Sequence, residues 1–304
     1  MVGDTFTDEL LEKYIRAGKI AARVREEIRK IVREGMRLIE ICEIVEDEIR
    51  RLGGKPAFPC NVSINEVAAH YTSPPGDERV VPEGALVKID IGVHIDGYIA
   101  DTATTVCFNP NYEDMVHAAE KALENAISLM RPGMPIPRIS SEIQATIERF
   151  GFKPISNLTG HEVDRYLIHS GKTIPNVAHL STDKVRFGRV YAIEPFVTLK
   201  DAAGRVKDGM EKHIFRLVRY KSLKDADLQK TLKFIEENFK TLPFAERWLE
   251  KYCTQGVSYR RSLSSLLSLK CIMAYPVFIE ASLKPVVQAE HTVYVDKDGP
   301  IVLT

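Results

Sequence analysis

Between Asp8 and Arg33, apolar side chains recur at Leu10, Leu11, Tyr14, Ile15, Ile20, Ala21, Val24, Ile28, Ile31 and Val32, spacing that predicts one amphipathic helix. Gly35 stands where that helix would end. A second helical stripe runs from Leu38 to Leu52 and stops at Gly53-Gly54. The segment Lys55–Pro75, rich in Pro and Gly, reads as a loop broken by a short strand, Val62-Ser63-Ile64. At Ala85–Phe108 the pattern turns extended. Two β-rich runs flank Asp96-Gly97, a two-residue turn signal that predicts a hairpin. Helices follow at Tyr112–Met130 and Pro137–Phe150, ended by Pro132-Gly133 and Gly151. Lys153–Thr198 is strand and loop. From Lys221 to Cys271 the pattern is helical again, at Asp227–Phe239, Phe244–Tyr252 and Leu263–Cys271. Strands at Val286-Val287, Thr292–Val295 and Ile301–Leu303 close the chain. This order, with no fixed-period repeat, predicts an α+β fold with a helical block before the last strands.

Composition narrows the function. The 304 residues hold 42 Lys+Arg and 42 Asp+Glu, so no net field recruits nucleic acid or an anionic membrane. With 44% hydrophobic residues and no long apolar run, the chain reads as globular and soluble. The acidic N-terminus lacks an apolar signal core, so a cytoplasmic location is expected. Cys42, Cys60, Cys107, Cys253 and Cys271 are scattered singly, as reduced thiols are.

Asp90 and Asp101 interrupt the apolar hairpin strands. A turn at Asp96-Gly97 sets Asp101 opposite Gly92 and Asp90 opposite Ala103. Both aspartates then share one face as diagonal neighbours, roughly 7–8 Å apart at the backbone. A solvated outer face would explain them. So would a cation between them, since two buried carboxylates otherwise repel. Leu158-Thr159-Gly160-His161, Ile193-Glu194-Pro195-Phe196 and Gln288-Ala289-Glu290-His291-Thr292 bring further acidic and imidazole groups into apolar settings. Together these segments offer four carboxylates and one imidazole, a set able to hold two divalent ions.

Those five segments, with Ala69-His70-Tyr71-Thr72 and Ile168-His169-Ser170-Gly171-Lys172, resemble the motifs of methionine aminopeptidases. The helical block resembles the insertion of the type II subfamily, and the absence of a long charged N-terminal extension resembles its archaeal members. The resemblance implies the pita-bread fold, one catalytic domain over residues 1–304, and an insertion at about 205–272. It implies metal ligation by Asp90, Asp101, His161, Glu194 and Glu290. Asp90 would serve one ion and His161 the other, Asp101 and Glu290 would bridge, and Glu194 would complete the second site.

The implied activity is hydrolytic removal of the initiator methionine, by a hydroxide bridging two ions of cobalt, manganese, iron or zinc. Glu194 would also act as base, His169 would stabilise the oxyanion and His70 would contact the scissile nitrogen. Phe58, Pro59, Ile168 and Tyr275 would wall the methionine pocket, with Asp201–Phe215 contributing. His213 is a further pocket candidate. The substrate is the N-terminal methionine of nascent polypeptides, the ribosome is a candidate contact, and a monomer is expected. Proline-specific relatives of this fold carry a large domain before the metal hairpin, and binding proteins of this fold lose ligands. Neither pattern matches this chain.

Overall fold

The computed structural model describes residues 8–252 and 259–304; Cys253 lies outside them. The long hairpin is the organising element. Leu86–Ile95 and Tyr98–Cys107 pair along their whole length, from Leu86 opposite Cys107 to Ile95 opposite Tyr98. Asp96 and Gly97 turn the chain with φ of 52° and 92°, the left-handed conformation that an Asp-Gly turn supplies. His94 Nδ1 accepts from the Gly97 amide at 3.0 Å, which pins that turn.

Helix α1 (Asp8–Ile31) and helix α2 (Leu38–Arg51) pack on the hairpin. Ile20, Val24, Ile28, Ile41, Val45 and Ile49 form one core with Val87, Ile89, Ile91 and Val93. Helix α3 (Glu113–Ser128) and helix α4 (Ile136–Arg149) cover a second core with Tyr191, Ile193, Val293 and Val295. Beneath them lies an antiparallel five-stranded sheet in the order Gly299–Val302, His291–Asp296, Val190–Ile193, Thr159–Asp164, Leu167–Pro175. Threonines stitch the hairpin to the C-terminal strands. Thr102 Oγ1 donates to the Glu290 carbonyl at 2.8 Å, Thr292 Oγ1 to the Asp101 carbonyl at 2.7 Å, and Thr105 Oγ1 to the Gln288 carbonyl at 2.7 Å.

Helix α5 (Ala226–Phe239), helix α6 (Glu246–Tyr252) and helix α7 (Tyr259–Ser268) gather around their own core of Phe215, Leu232, Ile235, Phe244, Leu249, Leu263 and Leu266. The sequence pattern misses the sheet beneath this block: Ile214–Leu217 pairs with Phe244–Ala245 and with Ile272–Tyr275. The strand Val206–Asp208 pairs instead with Phe278–Glu280, which joins Val67–Ala69. The residues after position 205 thus begin inside a sheet that also carries an N-terminal strand. A buried ion pair ties α6 to α2: Arg247 contacts Glu46 and donates to Thr72 Oγ1 at 2.7 Å, while Trp248 Nε1 donates to Glu46 Oε2 at 2.8 Å.

Candidate metal centre

Strand alternation sends Asp90 and Asp101 to one face of the hairpin, because Asp90 pairs with Ala103 and Asp101 with Gly92. Gly92 has no side chain for a spatial reason: a Cβ there would lie 2.2 Å from the Phe58 ring. Asn61, paired with Asp90 across the neighbouring strand, donates Nδ2 to Asp90 Oδ2 at 3.1 Å. His161 comes from Thr159–Asp164, and its Nε2 lies 3.8 Å from Asp101 Oδ2 and 3.5 Å from Glu194 Oε1. Glu194 follows the strand Val190–Ile193, where Pro195 interrupts pairing. The two strands approach closely because residue 160 is glycine; a Cβ would sit 2.6 Å from the Ala192 carbonyl oxygen. Glu290 bridges to Ala103. Ligand atoms of Asp101, His161 and Glu290 lie within 4.8 Å of one another.

These groups share a cavity of about 490 Å³. Burial raises the Asp90 carboxyl to about 6, against the hydrogen bond from Asn61. Burial first, and then their mutual charges, push Asp101, Glu194 and Glu290 well up. Burial drives His161 well down, and His169 adds to it. One physical change relieves all five groups together: divalent cations stabilise both ionised carboxylates and neutral imidazole. The buried Oδ1 atoms of Asp90 and Asp101 have no protein partner, so both are free to coordinate. An oxygen-rich set with one imidazole suits manganese, iron, cobalt or zinc.

His70, directly after the strand Val67–Ala69, has φ of 64°, a strained conformation for a non-glycine residue. Its ring packs 4.5 Å from Phe278 and 5.5 Å from Tyr275, centroid to centroid. The His169 ring lies 4.4 Å from that of His161. Both histidines line the cavity, as do Phe58, Ile168 and Tyr275. Pro59 is buried but does not line it, so Phe58 alone of that pair reaches the cavity. From the segment Asp201–Phe215, Asp208 and Ile214 contribute to the wall. His213 does not; its Nδ1 lies 2.7 Å from Glu246 and its Nε2 2.9 Å from Glu211.

Two supports escape a sequence reading. Asn61 holds Asp90, as above. Buried Glu162 accepts from Arg186 Nη2 at 2.7 Å on each oxygen and from the Lys172 amide at 3.1 Å, tying the strand of His161 to the strand of His169. The charged run Glu162-Val163-Asp164-Arg165 marks the place, but the partner comes from residue 186.

The fold and the acidic, imidazole-bearing cavity are those of a pita-bread metallopeptidase. Residues 12–297 match metallopeptidase family M24, and the chain belongs to that family. Among its relatives, the methionine aminopeptidase of Methanothermobacter thermautotrophicus is 46% identical, over 97% of this chain and 99% of that one. The methionine aminopeptidase of Methanocaldococcus jannaschii is 45% identical, over 96% and 98%. The crystal structure of methionine aminopeptidase from Thermotoga maritima shares the fold, with a TM-score of 0.71 and 24% identity over 98% of this chain and 97% of that one.

Proposed function

We propose that this protein removes the N-terminal methionine from polypeptides, with preference for a small second residue. One observation carries the reading: three buried groups (Asp101, His161, Glu290) and two half-buried ones (Asp90, Glu194) converge on one cavity in a chain 46% identical over its length to a methionine aminopeptidase. Two divalent ions of cobalt, manganese, iron or zinc are the cofactors. Asp90 would hold one and His161 the other, with Asp101 and Glu290 shared and Glu194 completing the second site. When bound, such ions supply Lewis acidity and lower the pKa of water towards neutrality.

The side chains do the rest. Glu194 accepts the proton of the attacking water. His169 donates to the oxygen that becomes negative as the scissile carbonyl is attacked. His70, whose Nδ1 has no protein partner, contacts the scissile nitrogen and orients the peptide. Phe58, Ile168 and Tyr275 hold the thioether side chain. In this reading the chain is one catalytic domain, with the helical block of about 205–272 as an insertion. It works as a cytoplasmic monomer on nascent chains, with the ribosome as a candidate contact.

A panel of peptides tests this. Residue two lies against His70 and the metal ligands, and a displacement of about 1 Å there can cost on the order of 100-fold. Met-Ala-Ser should therefore exceed Met-Lys-Ser in kcat/KM by about that factor, and Ala-Pro should be poor. Preference for Ala-Pro would move the assignment to a proline-specific activity. No cleavage with any of the four metals would refute peptidase function.

A further inference from the structure

The sheet beneath the helical block presents Ile214, Met273 and Tyr275 to the cavity, and one cation, Arg216, shares their face of the sheet without lining the cavity itself. Arg216 pairs with Met273 across the sheet and alternates onto the face of Ile214. Its Nε donates to Met273 Sδ at 3.2 Å. Among the described residues no carboxylate forms an ion pair with Arg216, and Asp208, the acid of the cavity wall outside the metal set, is no exception. A thioether is a weak acceptor for a half-buried guanidinium. Its planar fork suits a carboxylate with two parallel bonds.

We propose that Arg216 forms a subsite for a substrate carboxylate lying beyond the second residue. The carboxylate is either an acidic side chain at the third residue or the C-terminus of a short peptide. An extended peptide advances about 3.3 Å per residue, so a third residue leaving the His70–His169 pair passes along this wall. The proposal rests on the aminopeptidase reading and adds a charge preference that the ligand set does not supply.

Four peptides test it: Met-Ala-Glu-amide, Met-Ala-Lys-amide, and Met-Ala-Ser as free acid and as amide. Each enzyme's ratio of kcat/KM within a pair is the readout, so a general loss of activity cancels. The wild type should prefer the carboxylate-bearing member of a pair by roughly two- to fivefold, the range of a partly exposed ion pair. The preference should shrink in about 0.5 M salt. Arg216→Gln should bring the ratio to about one, and Arg216→Lys should restore part of it. A response confined to the glutamate pair assigns the side-chain source, and one confined to the acid–amide pair assigns the C-terminus. Calorimetry with reduced-amide analogues, whose scissile carbonyl is replaced by CH₂, should give the same ratios without turnover. A charge-blind wild type, or a preference that survives Arg216→Gln, overturns the subsite. If no peptide is cleaved, the aminopeptidase reading fails, while the calorimetric ratio still decides the role of Arg216.

Discussion

His169 sits 4.4 Å from His161, ring to ring, yet the cluster of close ligand atoms is Asp101, His161 and Glu290. That separation of roles makes a sharp prediction. His169→Ala should fold and keep its metals, but lose turnover by roughly two to four orders of magnitude, since one oxyanion donor is worth about 10²–10³ and a misplaced substrate adds to the loss. Metal content by elemental analysis and kcat on Met-Ala-Ser check it; wild-type turnover in a folded variant removes His169 from the mechanism. The aspartates were legible one by one because each breaks an apolar strand and the Asp-Gly turn fixes their register. Asn61 was not, because its meaning depends on pairing with a residue 29 positions away. Arg216 escaped for the same reason: only the register with Met273 puts it on the same sheet face as the cavity-lining Ile214 and Tyr275.

Among elements, the helices were readable to within a few residues, since α1, α2, α3 and α4 each carry a periodic apolar stripe over at least three turns. The strands of the helical block were not. Ile214–Leu217 and Phe244–Ala245 are four and two residues long, too short for alternation to register, and their partners come from distant segments. Phe244 and Ala245 therefore read as the first turn of α6, which begins at Glu246. His213 sits at this junction between Glu246 and Glu211. Burial would lower its pKa, but the two carboxylates outweigh burial and raise it above 6.5. The folded state therefore holds this proton more tightly than the unfolded chain. The stabilisation is complete below about pH 6.5 and fades as pH rises through the raised value. Urea unfolding from pH 6 to 9 should show the wild type losing stability relative to His213→Gln as pH rises; parallel profiles would show that the contact carries no pH-dependent stability.

For the whole molecule, the proposed ligands come from three regions far apart in the chain: the hairpin (Asp90, Asp101), the central strand of His161 with Glu194 just after its neighbour, and Glu290 just before the C-terminal strand His291–Asp296. An ion shared among them would bind the folded state and not the unfolded chain, so its binding free energy would become stability. At a free metal concentration about 100 times the dissociation constant, one site adds about 2.7 kcal/mol. For a domain of this size that corresponds to a Tm shift of about 4 °C. The metal-stripped protein should therefore melt lower, and manganese, cobalt, iron or zinc added singly should each restore part of the difference. Asp101→Asn and Glu290→Gln remove the proposed bridges, so both should abolish the shift, and bound metal should fall below the two ions per chain expected of the wild type. Both variants also relieve repulsion among buried carboxylates, so the stripped variants should melt no lower than the stripped wild type. That second comparison separates loss of a ligand from damage to the fold. A stripped wild type that melts at the same temperature with and without metal, or a single ion per chain at saturation, would remove the two-metal centre.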